Sequence, residues 1–133
     1  MLAPVADSSL IDGRLAQARA RIEPRVSASD LDEAIARGAL VVDTRSSAQR
    51  DRDGELPSAV VMERNVLEWR LDPTSPHRIA EMDRPDRRVI VVCDEGYASS
   101  LAAAGLLDLG LTDVTDLAGG FQAWRRITST DAP

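Results

Sequence analysis

The 133-residue chain has one cysteine, one histidine and few aromatic residues, which make up 3% of it. A single cysteine excludes an internal disulfide and a multi-cysteine metal site. The lone His77 lies in a Pro-rich, turn-like stretch, so a zinc site or a Cys-His pair would rest on it alone. No cysteine-rich metal site is therefore expected. With so few aromatics, the core must be aliphatic. No apolar run approaches the roughly 18–20 residues of a membrane span. The N-terminal "MLAPVADSSLIDGR" lacks the basic-then-apolar pattern of a signal peptide. Positive charge is also in deficit, at a formal net −6. That argues against nucleic acid or an anionic membrane as partner. These features lead to the expectation of a cytoplasmic protein with a reduced or reactive Cys93.

What is present is the make-up of one globular domain, with 44% hydrophobic and 29% charged residues. Apolar positions Leu10, Ile11, Leu15, Ala18 and Ile22 predict an amphipathic helix over 7–22, capped by Asp7 or Ser8 and ended by Pro24. This sets residues 1–24 apart as a helical extension to a domain over 25–133. "RVS" reads as a short extended piece. "SASDLDEAIARG" follows as a helix capped by Ser29 and stopped by Gly38. Strands are expected at 39–45, 59–62, 88–92 and 113–117, with loop or a short helical turn over 46–58. Further helical segments fall at 65–71, 99–109 and after Gly119-Gly120. In these segments Val66, Leu67, Leu71, Trp69 and Trp124 are expected to pack inward. Strands alternating with helices predict an α/β fold: a mostly parallel central sheet with helices on both faces.

The stretch "VIVVCDEGYASSLAAAGLLDLG" places Cys93 at the end of the most apolar strand and just before a helix start. Ligands of open α/β sheets bind beyond such strand ends. A helix N-terminus offers unpaired N–H groups and partial positive charge, which favour a thiolate. Gly96 allows positive φ, so several N–H groups can converge on the sulfur. Ser99 can cap the helix. Read more plainly, Cys93 is a small core residue closing a strand; the loop and helix start favour the reactive reading.

Three further pieces then fall in order: "VVDTR", "GELPSAVVM", and "CDEGYASS" running on to "GGFQAW". Together they resemble the single-domain rhodanese family of persulfide-forming sulfurtransferases over about residues 25–126. The resemblance implies a rhodanese-like fold with Cys93 as nucleophile and Asp94, Glu95, Gly96, Tyr97 and Ala98 as the loop cradling it, with Ser99 starting the helix. It implies transfer of sulfane sulfur from thiosulfate or a persulfide donor to a thiol or cyanide-like acceptor, with no metal or organic cofactor. Asp43 and Arg45 are then a structural ion pair holding strand end to loop. Arg64, Asn65 and Trp69 are candidates for the pocket rim, and Arg64, Arg70 or Arg78 for a cation near the donor.

The sequence departs from the family pattern in several places. Ala98 stands where many members carry arginine, Glu55 replaces histidine, and Ser58 replaces glycine. Related phosphatases have a loop one residue longer and need its arginine to grip phosphoryl oxygens. The acidic Asp94-Glu95 pair opposes a dianionic donor. At about 6 Å and an effective dielectric of about 20, each unit charge pair amounts to about 2–3 kcal/mol before screening. A neutral or cationic persulfide donor, or a basic partner protein, is the expectation from that pair. The alternative function is a catalytically weak rhodanese-like module for binding or for sulfur and redox sensing.

Overall fold

A computed structural model describes residues 9–129. Four short parallel strands form its sheet: β1 (Leu40–Asp43), β2 (Val60–Val61), β3 (Val89–Val92) and β4 (Val114–Asp116), in the order β2-β1-β3-β4. An isolated parallel bridge from Val26 to Leu117 extends the β4 edge. Among the described residues six α-helices surround the sheet: α1 (Leu10–Ile22), α2 (Leu31–Ala36), α3 (Ser47–Asp53), α4 (Leu67–Leu71), α5 (Ala98–Leu109) and α6 (Gly120–Ser129).

Alternation along β1 and β3 sends side chains into two separate cores. Leu40, Val42, Val89 and Val91 meet Ile22 of α1, Leu67 and Leu71 of α4, and Ala102, Ala103 and Leu106 of α5. Val41, Ile90 and Val92 meet Leu31 of α2 and Phe121 of α6. Both sheet faces are thus covered, which is why β3 is apolar at every position. The small residues of α5 let it lie close over the sheet.

The first helix belongs to this body. Ala18 and Ile22 are buried, Thr115 of β4 donates its hydroxyl to the Ile22 carbonyl at 2.7 Å, and Arg21 pairs with Asp108 of α5 at 2.7 Å.

Several local expectations need correction. Ser9 caps α1, its side chain accepting from the Asp12 N–H; Asp7 and Ser8 lie outside the described residues. Ser29 caps nothing: it sits in a 3₁₀ turn (Ala28–Asp30) that precedes α2, and its hydroxyl meets that of Ser27. Of the two readings for 46–58, loop or a short helical turn, the helical one holds over Ser47–Asp53: α3 makes two turns, closed at its start by reciprocal Ser46–Gln49 hydrogen bonds. Val66 and Trp69 do not pack inward. On α4, Leu67 and Leu71 take the inner face, and at 100° per residue Trp69, two positions from each, points out and is 58% exposed.

Candidate active site

Cys93 follows the last residue of β3 and is 8% exposed. Its Sγ accepts from the backbone N–H of Gly96 at 3.2 Å and of Ser99 at 3.3 Å. Gly96 has φ +86°, the left-handed turn that folds the loop back over the sulfur. The sulfur therefore lies in a cup of N–H groups at the start of the 12-residue helix α5.

A second pair of glycines makes the cup possible. A Cβ on Gly120 would lie 2.6 Å from the Cys93 carbonyl oxygen and 2.7 Å from both the Asp94 carbonyl oxygen and the Gly96 nitrogen. A Cβ on Gly96 would lie 2.7 Å from the Gly119 nitrogen. The loop and the start of α6 thus touch backbone to backbone. Phe121 donates its N–H to Cys93 O at 2.9 Å and Gln122 to Asp94 O at 3.0 Å. The first N–H groups of α6, unpaired within the helix, fasten the loop from below.

Ser99 does not cap α5. Its N–H is on the sulfur, and its hydroxyl donates to Asp116 at 2.7 Å, so the helix begins one residue earlier at Ala98. Asp116 is fully buried at the end of β4 and also accepts from Ser100 Oγ at 2.7 Å. Arg25 meets it with two hydrogen bonds, from Nε at 2.7 Å and from Nη2 at 3.1 Å. A buried carboxylate persists because it is paired and hydrogen-bonded in this way. Ser99 or Ser100 was expected from the sequence to offer a hydroxyl to the loop, and Ser100 Oγ does lie 3.4 Å from the Gly96 carbonyl; Arg25 and Asp116 escaped sequence reasoning. An acid within the apolar-bounded "DVTDL" was the available signal.

Asp43 and Arg45 form a fully buried ion pair, with Arg45 Nη2 2.9 Å from Asp43 Oδ2. Arg45 also donates to the Gly54 carbonyl at 3.0 Å, and its guanidinium lies 3.6 Å from the Phe121 ring centroid. It ties β1, the turn after α3, and α6 together beneath the loop.

The acidic pair divides. Asp94 is half-buried and turned toward Gln122, which donates to it at 3.0 Å, with Arg52 at 3.8 Å. The same Gln122 amide donates to Asp53 at 2.9 Å. Glu95 is exposed. The Asp53 carboxyl is held down at about 2, chiefly by the hydrogen bond from Arg52 and further by Gln122 and Arg125. Tyr97 is 61% exposed, with the Arg19 guanidinium 5.3 Å from its ring centroid.

A cavity of about 280 Å³ opens onto Cys93. Asp94, Glu95, Tyr97 and Ala98 line it together with Thr44, Arg45, Gln49 and Arg64. A neighbouring cavity of about 790 Å³ shares Thr44, Arg45 and Arg64, and adds Arg50, Asn65 and Arg70. The chain has no lysine, so every side-chain cation here is a guanidinium suited to planar anions. Trp69 is not on this rim: it lines a separate cavity with His77 and Leu109. Arg78 is also turned away, its Nη1 donating to the carbonyls of Ile79, Ala80 and Met82.

Comparison with known proteins agrees with this geometry. The family model described as "Rhodanese-like domain" matches residues 27–127. The chain is 33% identical over 88 residues to the thiosulfate sulfurtransferase GlpE of Pseudomonas savastanoi pv. phaseolicola, covering 66% of this chain and 74% of that one. A solved structure from Rhodopseudomonas palustris, described as a protein of unknown function and possible tyrosine phosphatase, superposes with a TM-score of 0.79 at 31% identity. The match covers 91% of this chain and 92% of that one. A human single-domain sulfurtransferase shares the fold, with a TM-score of 0.65 at 24% identity, over 77% of this chain and 96% of its own. The chain belongs to the rhodanese-like domain family.

Proposed function

We propose that the protein is a sulfurtransferase working by double displacement at Cys93. The thiolate attacks the sulfane sulfur of thiosulfate or of a small persulfide. A new S–S bond forms, the donor's S–S bond breaks, and sulfite or a thiolate leaves with the bonding electrons. Cys93 then carries a persulfide. A thiolate or cyanide attacks its outer sulfur, and the Cys93 thiolate departs. The exchange balances without an added oxidant or reductant.

The observation that carries this reading is the convergence of the Gly96 and Ser99 N–H groups on Sγ. Fixed dipoles of this kind stabilise negative charge on sulfur through both displacements without reorganising. Kinship with thiosulfate sulfurtransferases of the GlpE type supports it. Arg64, exposed and also paired with Glu68 at 3.1 Å, shares the cavity lining with Asp94 and Glu95, so an anionic donor meets a cation as well as acids there. Exposed Glu95 and Tyr97 at the mouth favour a basic protein surface as one class of acceptor.

Phosphatase chemistry fits less well. The loop from Asp94 to Ala98 holds no guanidinium, and Arg45 is committed to Asp43 and Gly54. The test is thiocyanate formation from cyanide with thiosulfate or a persulfide donor, alongside hydrolysis of p-nitrophenyl phosphate. Thiocyanate from wild type, none from Cys93→Ser, and no phosphate release are expected. Equal thiocyanate from folded Cys93→Ser would contradict the proposal. Silence with both donors would favour a binding or sensing module.

A further inference from the structure

Both the family model and the resemblance begin after α1, at residue 27 and about residue 25. Yet α1 and the turn behind it reach the sulfur loop. The Gly96 carbonyl accepts from Arg19 Nη2 at 2.7 Å and from Arg25 Nη2 at 2.9 Å. Arg19 also donates through Nε to Ser100 Oγ at 3.1 Å. Arg25 is held in turn by the buried Asp116. One carbonyl in a five-residue loop is thus gripped by two guanidinium groups that precede residue 27, where the family match starts.

The peptide plane gives this grip a chemical consequence. The 96–97 peptide is trans, so its C=O and N–H point in opposite directions. With the carbonyl drawn back onto the arginines, the Tyr97 N–H faces away from them. The Gly96 N–H, one peptide earlier, is already on Sγ. Arg25 is offset by Asp116, so the pair of arginines brings about one net positive charge behind a loop that carries two acids and no guanidinium.

We propose that Arg19 and Arg25 are positioning residues for sulfur transfer: they lock the 96–97 peptide so that the loop's N–H groups stay turned onto Cys93 sulfur and the outer sulfur it acquires. This rests on the sulfurtransferase reading of Cys93. Helix α1 is then part of the working site.

Arg19 is the informative residue, because Asp116 keeps Arg25 as its partner when Arg19 is removed. Arg21→Ala is the matched control: it removes the α1 ion pair to Asp108 on α5 and touches no loop atom. Single-turnover sulfur uptake would be followed by intact mass, with donor concentration varied. The rate of Cys93 alkylation by iodoacetamide would be followed against pH in the same proteins. Arg19→Ala should slow uptake by about 10- to 100-fold, as small misplacements of reacting groups do, with little change in the donor concentration at half-maximal rate. Arg19→Lys should recover part of the loss, and Arg21→Ala should match wild type. Alkylation should change in Arg19→Ala and not in Arg21→Ala. Uptake and alkylation equal in all these proteins would overturn the proposal. If wild type takes up no sulfur, the sulfurtransferase reading fails separately, and the alkylation comparison alone decides whether the arginines set the loop around the thiol.

Discussion

Replacing Gly120 by alanine tests the backbone contact beneath the sulfur loop. The residue has φ +62°, and an added methyl would stand 2.6–2.7 Å from Cys93 O, Asp94 O and Gly96 N. None of these is the end of a flexible side chain. The left-handed conformation alone costs an alanine about 1–2 kcal/mol. Overpacking against rigid atoms adds about 1–3 kcal/mol. A domain of this size has roughly 5–15 kcal/mol of stability, so Gly120→Ala should still fold. Its melting temperature should fall by roughly 8–20 °C, taking roughly 4 °C per kcal/mol. The clash is relieved only by moving the loop or the start of α6, which lengthens the Phe121 N–H bond to Cys93 O. Sulfur transfer measured well below the melting temperature should therefore drop about 100-fold. Gly38→Ala separates the two effects: its φ is +99°, but no atom lies within 4 Å of the added carbon. It should lose stability from torsional strain alone and keep full activity. If Gly120→Ala matches Gly38→Ala in both melting temperature and sulfur transfer, the close contact does not shape the site.

Three other substitutions give independent checks. Ser58 holds φ +67°; Ser58→Gly should be about 0.5–1 kcal/mol more stable by urea unfolding, the relieved strain exceeding the freedom glycine gains in the unfolded chain. Asp53, held down at about 2, adds stability above its unfolded value of roughly 4, lost as pH falls through about 2. Asp53→Asn should therefore flatten the acid limb of a stability-against-pH curve between roughly pH 4 and 2, and an unchanged limb would remove Asp53 from the account. Arg64→Ala should raise KM for thiosulfate about fivefold and leave KM for a neutral persulfide donor nearly unchanged, because one partly screened cation is lost from the cavity lining.

The elements that a local pattern specifies were legible. The apolar run "RVIVV" predicts a doubly covered strand, and β3 is buried on both faces between two cores. Gly96 before a small-residue helix predicts a positive-φ turn and N–H groups on the sulfur, and both are present. Helix α3 was half legible: its polar composition left loop and short helical turn both open, and the Ser46–Gln49 spacing of a capping box decides for the helix.

Other features depend on packing that no window of sequence contains. Ser99 has the form of a helix cap, but the buried Asp116, 17 residues on, takes its hydroxyl. Asp94 beside the thiol suggests repulsion of anions, whereas Gln122 on α6 draws it aside. In the sequence Arg19 is one of three arginines in α1. Only the packing of α1 against α5 brings it to the Gly96 carbonyl. Trp69 reads as an anchor from its aromatic character, but the phase of α4 is set by Leu67 and Leu71.

The central claim is a persulfide on Cys93, and intact mass reads it directly. Reduced protein would be incubated with thiosulfate and, separately, with a small persulfide donor, then freed of excess reagent and weighed. The account predicts a gain of one sulfur atom with at least one donor, removal of that mass by cyanide, and no gain in Cys93→Ser. A folded wild-type protein with a titratable thiol that gains nothing from either donor, or a gain that persists in Cys93→Ser, would contradict it.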